Sequence, residues 1–298
     1  MTAPLDFLDI PPAIVTDAAC DIPPAWFEQY GIQVAPLKIL FGDEIFRSGI
    51  DITHAEFYDR LAHGGVHPTT TQPTANDFVE IYTRLLEQKV PVLSIHISEG
   101  LSGTANVARM AAKQMPPGAV TVWGTGTLSS AQGLQVITAA RAAQKGYRID
   151  AILPLLKATH EQADLFFTVG DLTYLHRGGR IGSVRYQIGQ VLHIKPIITV
   201  SKEGETAGTY ISKGRARSMS KAIDQFVSYI AEAVGEGNKL RAISLYGDDP
   251  TLAEQLNAEL AQHFDCVTLE KVPTAPVLGV HTGPDALGVS FIGGDWPA

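Results

Sequence analysis

Cysteine is almost missing from this chain of 298 residues: there are two, Cys20 and Cys266, far apart and in no CxxC arrangement. Neither a disulfide framework nor a cysteine-based metal site follows from them. Positive charge is scarce as well, with 23 Lys and Arg against 31 Asp and Glu and a net charge of −8. That balance argues against nucleic acid or an anionic membrane surface as a partner, since both favour a basic face. No stretch approaches the ~20 apolar residues of a membrane span, so no stable membrane insertion is expected. The opening MTAPLDFLDIPP lacks the basic start and apolar run of a signal peptide. The expected location is cytoplasmic.

Nucleotide and metal signatures are missing too. No GxxxxGK[ST] occurs, so the chain has no P-loop of its own. Gly124-Thr125-Gly126 is not followed by glycine at the GxGxxG position, which leaves a dinucleotide site weak. His63 and His67 flank Gly64-Gly65, which will not hold them on one helical face, and this argues against zinc. No metal and no cofactor are expected.

What the chain does contain is an ordinary globular composition, 45% hydrophobic and 18% charged. That is enough to bury a core and leave capacity for an internal apolar cavity. At roughly 100–200 residues per domain, the length suggests two domains. In the first half, apolar runs at 13–16, 32–37, 92–97 and 119–123 read as strands. Helical patterns lie between them, at 26–30, from Thr53 with Glu56 as a capping box, from Thr74, at 105–115, and on to Lys145. Residues 38–47, with Gly42-Asp43 at the centre, read as a hairpin. This strand–loop–helix succession predicts a mainly parallel sheet flanked by helices.

After about residue 150 hairpins mix with helices. A Gly-rich turn at 176–180 leads into a helix ending near His193, and strands at 196–200 and 206–211 read as a hairpin about Glu203-Gly204. A helix follows from Ser218, strand 240–246 precedes a helix opened by Asp249-Pro250, and strands 266–272 and 289–292 flank a turn around His281. The fold class predicted is α/β in two domains: an N-terminal α/β domain, 1–150, and a C-terminal α+β domain, 151–298.

Three polar segments stand out. Pro68–Thr74 is rich in threonine, and Ser98–Thr104 lies where a strand hands over to a helix. Hydroxyls and free N–H groups at a helix start suit an anion such as carboxylate or phosphate. Any one of them taken alone, Ser102 or Thr74, reads as a simple N-cap. The third is Gly279-Val280-His281-Thr282-Gly283, whose histidine either donates to an anion or is a satisfied loop residue. Arg177, Arg180, Arg185, Lys195, Lys213, Arg215 and Arg217 concentrate positive charge in an acidic chain. They form either a solvated face or a dock for a phosphate-bearing partner. Gly100-Leu101-Ser102-Gly103 is one residue short of a nucleophile elbow, yet Ser102 with His281 keeps a serine hydrolase of lipid esters open.

These segments together resemble the DegV family, through essentially the whole chain and in the family's own order. IVTDAACDIP (14–23), VAPLKI (34–39), DITHAEFYDRL (51–61), TTQPT (70–74), SIHISEGLSGT (94–104), LHRGGRIG (175–182), IKPII (194–198) and HTGPDALG (281–288) carry the likeness. The resemblance implies a protein that binds a long-chain fatty acid and is not itself an enzyme. It implies that the carboxylate is held by Thr70, Ser102 and His281, with Thr71, Gly103 and Arg217 also at the site. It further implies that the bound acid is presented to a separate ATP-dependent fatty acid kinase, which makes an acyl phosphate. Three positions depart from the family pattern. Ala18 and Glu99 stand where serine is usual, and Gly124-Thr125 replaces an Asp-Ser pair.

Overall fold

The computed structural model describes residues 9–182, 184 and 194–296. The helix expected to end near His193 lies outside the described residues, as does Arg185. The apolar runs of the first half form β1 (Ala13–Asp17), β2 (Gln33–Ala35), β6 (Val92–His96) and β7 (Val120–Gly124). They make one parallel sheet in the order β2-β1-β6-β7. All five residues of β6 are buried, as an interior strand covered on both faces requires. Alternation along it sends Leu93 and Ile95 towards α5 (Ser129–Gln144), and Val92 towards α3 (Ala75–Glu87) and α4 (Thr104–Ala112).

On the α3 side the core holds a chain of polar groups. The Tyr82 hydroxyl donates to Ser94 Oγ at 2.8 Å, and Ser94 Oγ lies 2.6 Å from His96 Nε2. His96 Nδ1 is 2.9 Å from Asp17 Oδ2, which also accepts from the Ile97 N–H, while Asp17 Oδ1 accepts from the Ala19 N–H. All of these side chains are buried. The network locks the end of β1 to the end of β6, where the functional loops begin.

A hairpin, β3 (Lys38–Phe41) and β4 (Glu44–Arg47), adds β5 (Thr69–Thr71) in a small antiparallel sheet of order β4-β3-β5. Ahead of it lies α1 (Pro24–Gln29), and behind it α2 (His54–His63), whose N-cap Thr53 accepts from the Glu56 N–H at 3.2 Å. α3 has the full reciprocal box, formed by Thr74 and Asp77.

The second half is a mixed sheet. β8 (Asp164–Thr168), β9 (Lys195–Val200), β10 (Tyr210–Ala216), β11 (Lys239–Tyr246), β12 (Asp265–Pro273) and β13 (Leu287–Gly293) lie in the order β10-β9-β8-β13-β11-β12. Two expectations need correction here. Thr206 belongs to a 3-10 turn, Gly204–Thr206, and the hairpin's second strand starts only at Tyr210, opposite Val200. Asp249 does not occupy the N-cap: the helix starts at Thr251, and the Asp249 carboxylate accepts from the Thr251 N–H and hydroxyl. α6 (Ile149–Gln162) leads into this sheet and α7 (Thr173–Arg177) follows β8. α8 (Met219–Val234) and α9 (Thr251–His263) cover one face through Phe226, Ile230, Leu256 and Leu260. The other face, with Leu165, Phe167, Ile198 and Leu245, shares one apolar core with α5 and the first sheet. The candidate site lies in that shared core.

Asp17→Ala is expected to strand the buried His96 ring and two N–H groups, a loss on the order of 3–5 kcal/mol in urea unfolding. A loss under about 1 kcal/mol would show that the network is dispensable.

Candidate functional site

Helix α10 (Pro276–Thr282) connects the shared core to the polar groups around it. The sequence pattern suggested a turn at His281; the chain instead forms a helix of seven residues with His281 in its last turn. Glycines allow its close packing. A Cβ at Gly279 would fall 2.7 Å from the Phe57 ring and 2.8 Å from the Tyr58 hydroxyl, both on α2. One at Gly283 would meet the Tyr174 ring of α7, and one at Gly178 would fall 2.0 Å from His281 Nδ1. The imidazole is thus pressed against the backbone of the Gly-rich turn, an approach that any side chain at Gly178 would prevent.

The helix start is held by side chains distant in sequence. The Ala275 N–H donates to Asp21 Oδ1 at 2.9 Å, and the Val277 N–H donates to Ser48 Oγ at 3.1 Å. Asp21 Oδ2 accepts from the Ser129 hydroxyl at 2.5 Å. Ser129 has φ +55°, a left-handed conformation uncommon for a residue with a Cβ, at the entry to α5. Burial pushes the Asp21 carboxyl up to about 7, against the lowering effect of the two hydrogen bonds.

Between the sheets lies a cavity of about 740 Å³, mouth included. Its walls are largely aliphatic and aromatic, with Leu37, Leu101, Leu128, Leu165, Phe167 and Leu278 prominent. The polar groups reaching it include Thr70, Ser102, His281 and Arg180. Thr70, on β5 opposite Ile39, has its Oγ1 2.9 Å from His281 Nε2. Ser102 Oγ shares a 2.8 Å hydrogen bond with Thr104 Oγ1 and accepts from the Thr104 N–H at 3.3 Å. Arg180 donates to the Gly178 carbonyl at 2.7 Å and reaches the Leu101 carbonyl at 3.5 Å.

The electrostatics favour neutral donors. Burial pushes His281 down to about 4, with Arg180 and His67 adding to the effect, so the ring is uncharged at neutral pH. In the Nδ1–H tautomer Nε2 would take the Thr70 proton and leave that hydroxyl with only lone pairs to offer. In the Nε2–H tautomer the ring donates to Thr70, whose own hydrogen is then free for a ligand acceptor.

The expected site residues divide as follows. Thr70, Ser102 and His281 line one cavity. Gly103 is placed beside it and does not line it: a Cβ there would fall 2.2 Å from Gln72 Oε1, so the glycine joins the threonine-rich segment to the start of α4. Thr71 is exposed, its hydroxyl turned to the Gln72 carbonyl at 3.4 Å. Arg217 is exposed after β10 and is not among the lining residues; among the described residues Arg180 is the arginine that lines the cavity. Ser102 and His281 bond to different hydroxyls, and His281 Nδ1 has no hydrogen-bond partner among the described residues. A nucleophile–base–acid relay is therefore not assembled. Asp21, Ser129 and Leu165 carried no sequence signal beyond ordinary patterning.

Two departures from the family pattern fit one another. Glu99 pairs with Arg109 at 2.5 Å, and its carboxylate occupies the space that a Cβ at Gly124 would need, 2.2 Å away. It is turned from the cavity, and a side chain at position 124 would expel it.

An apolar chamber with neutral hydroxyl and imidazole groups on one side, set between a parallel and a mixed sheet, has the chemistry to suit a mostly apolar ligand with a polar end. The chain belongs to the DegV family: the model of that family, described as an uncharacterised protein family, matches residues 12–293. A DegV domain-containing protein of Deinococcus radiodurans is 36% identical over 285 residues, covering 96% of each chain. A solved DegV family protein of Thermus thermophilus, described as binding fatty acid, superposes with a TM-score of 0.88 at 31% identity, over 95% of this chain and 99% of that one. A stearic acid-binding protein of Eubacterium ventriosum gives a TM-score of 0.83 at 27% identity, over 95% and 98% of the two chains. Among the described residues no helix is long and apolar enough to cross a membrane, and no cluster of His, Cys, Asp or Glu could hold a metal ion.

The two titrating groups of the site act in opposite directions. Asp21 has a folded-state value above its unfolded one, so its contribution to stability is full below about 4 and is lost as pH rises to about 7. His281 is lowered from 6.5 to about 4, so its contribution grows as pH rises through that window. Relative to the parent, Asp21→Asn should therefore gain stability between pH 4.5 and 8, by at most about 1.4 kcal/mol per pH unit below 7. Denaturation midpoints of the two proteins that stay parallel across this range would contradict the assignment.

Proposed function

We propose that this chain binds a long-chain fatty acid in the cavity between its two sheets, with the carboxylate beside Thr70, Ser102 and His281. The observation that carries the reading is the pairing of a neutral His281 with Thr70 at the polar side of an otherwise apolar chamber. A carboxylate only accepts, so it selects the Nε2–H tautomer: the ring donates to Thr70 and Thr70 donates to the ligand. Ser102 supplies a second hydroxyl and Arg180 a cationic group at the same side. An ester or alcohol lacks the charge that strengthens these bonds, which sets the preference for the free acid.

The tail supplies most of the affinity. About 14–15 methylenes at ~0.8 kcal/mol each offer on the order of 12 kcal/mol gross, reduced by the ordering of the chain. The fatty acid-binding descriptions of the Thermus thermophilus and Eubacterium ventriosum proteins support the same ligand class. We place the boundary between the two proposed domains near residue 150, so that the ligand lies between them.

The chain has no P-loop, and the role that fits it is to hold the acid for a separate ATP-dependent kinase. One carboxylate oxygen would attack the γ-phosphorus of kinase-bound ATP, forming an acyl phosphate and releasing ADP. Exposed Arg177, Arg215 and Arg217 would then serve the docking of that partner rather than the lipid.

Native mass spectrometry of the purified protein, followed by extraction, tests the reading. A stoichiometric free fatty acid is the expected finding, and a protein that takes up none on titration would refute it. Thr70→Val and Ser102→Ala should each weaken retention roughly tenfold, about 1–2 kcal/mol, with the unfolding midpoint of the empty protein little changed. Arg217→Ala should leave retention unchanged.

A further inference from the structure

A second, smaller pocket of about 280 Å³, mouth included, adjoins the first at Leu165 and is bordered by Gly126, Ala131, His160, Val200 and Lys202 among others. Among the described residues, Leu165 is the single side chain common to the walls of both. It is 3% exposed, at the start of β8. Strand alternation puts Leu165 and Phe167 on the cavity face, while Phe166 packs on the opposite face against Phe226. From Leu165 to the last residue of β8, Thr168, which pairs with Leu287, the strand rises roughly 10 Å. The chain then continues through α7 to Gly178, which abuts His281. Leu165 therefore stands at the end of the strand remote from the polar cluster.

The walls of the second cavity are mixed. Ala131, Ala163 and Val200 are apolar, while the His160 ring, which sits against Gly126, and the Lys202–Asp164 ion pair at 2.8 Å are polar. An acyl tail could use only the apolar portion.

We infer that Leu165 is the floor of the acyl site and sets the length of chain the protein accepts, with the second cavity as an extension that it closes. This inference rests on the fatty acid reading of the main cavity. Trimming Leu165 opens the space beside the apolar residues of the second cavity to the terminal methylenes. Enlarging it raises the floor.

The experiment is competition among an equimolar series of saturated C12 to C22 fatty acids, with the bound fraction extracted and quantified. Leu165→Ala should shift the bound distribution upward by at least two carbons, with roughly tenfold or more gained for each pair of newly buried methylenes. Leu165→Phe should shift it downward. Adding Ala131→Leu to Leu165→Ala should refill the space and restore the parental profile. If the parent binds no fatty acid, the reading of the main cavity fails and this inference with it. If the parent binds but Leu165→Phe and Leu165→Ala keep its profile, only the floor assignment is overturned. Should Leu165→Ala not fold, Leu165→Phe decides alone, and an unchanged profile counts against Leu165.

Discussion

The Asp21 carboxyl joins three parts of the molecule that the chain keeps far apart. It accepts from Ser129 at the entry to α5 and from Ala275 at the entry to α10, 108 and 254 residues away respectively. A helix as short as α10 has most of its N–H groups without intrahelical partners, and its start is buried, so it needs acceptors from elsewhere. Asp21 and Ser48 provide them from the first half of the chain. Because α10 carries Val277, Leu278 and His281, docking it both closes the apolar chamber and delivers the imidazole to Thr70. The compensation is visible in the same place, as a carboxyl pushed up to about 7 and a serine held in a left-handed conformation.

Neutral groups predominate around this chamber for a physical reason. A cationic imidazole would have to be desolvated beside Arg180 and His67, and the surroundings hold the ring uncharged instead. The remaining charge near the polar cluster is kept occupied: Glu99 with Arg109, and Arg180 with the Gly178 and Leu101 carbonyls. Replacement of Asp-Ser by Gly124-Thr125 and of serine by Glu99 makes one steric exchange rather than two independent departures. The larger acid at position 99 needs the missing side chain at position 124.

Much of the architecture was legible because it is local. Apolar runs bounded by turn residues marked β1, β6, β7 and β11, and Thr53 followed by Glu56 marked the start of α2. The segments holding Thr70, Ser102 and His281 stood out because hydroxyls and a histidine among glycines are unusual company, and the resemblance to the family singled out the three residues within them. What escaped was set by contacts across the chain. His281 read as a turn residue because glycines at 279 and 283 look like breakers, whereas they make room for Phe57 and Tyr174 beside a helix. Arg217 was placed at the site by resemblance, whereas Arg180, read only as one of a basic cluster, lines the cavity because the Gly-rich turn folds against α10. Leu165 is one apolar residue in an apolar strand, and nothing in DLFFT marks it as a partition between two cavities.

The chamber belongs to neither half alone. Leu37, Thr70, Leu101 and Leu128 come from the first sheet and its neighbours, Leu165, Phe167 and Leu245 from the second, and α10 spans the gap. A ligand that fills the chamber binds only the docked arrangement, so by mass action it stabilises the packing of the halves and the seating of α10 together. The same linkage runs in reverse: whatever loosens the Asp21 bridge lowers the population able to bind, without touching a ligand contact. On the proposed fatty acid reading, affinity is thus shared between the tail's burial and a carboxyl that is not among the residues lining the chamber.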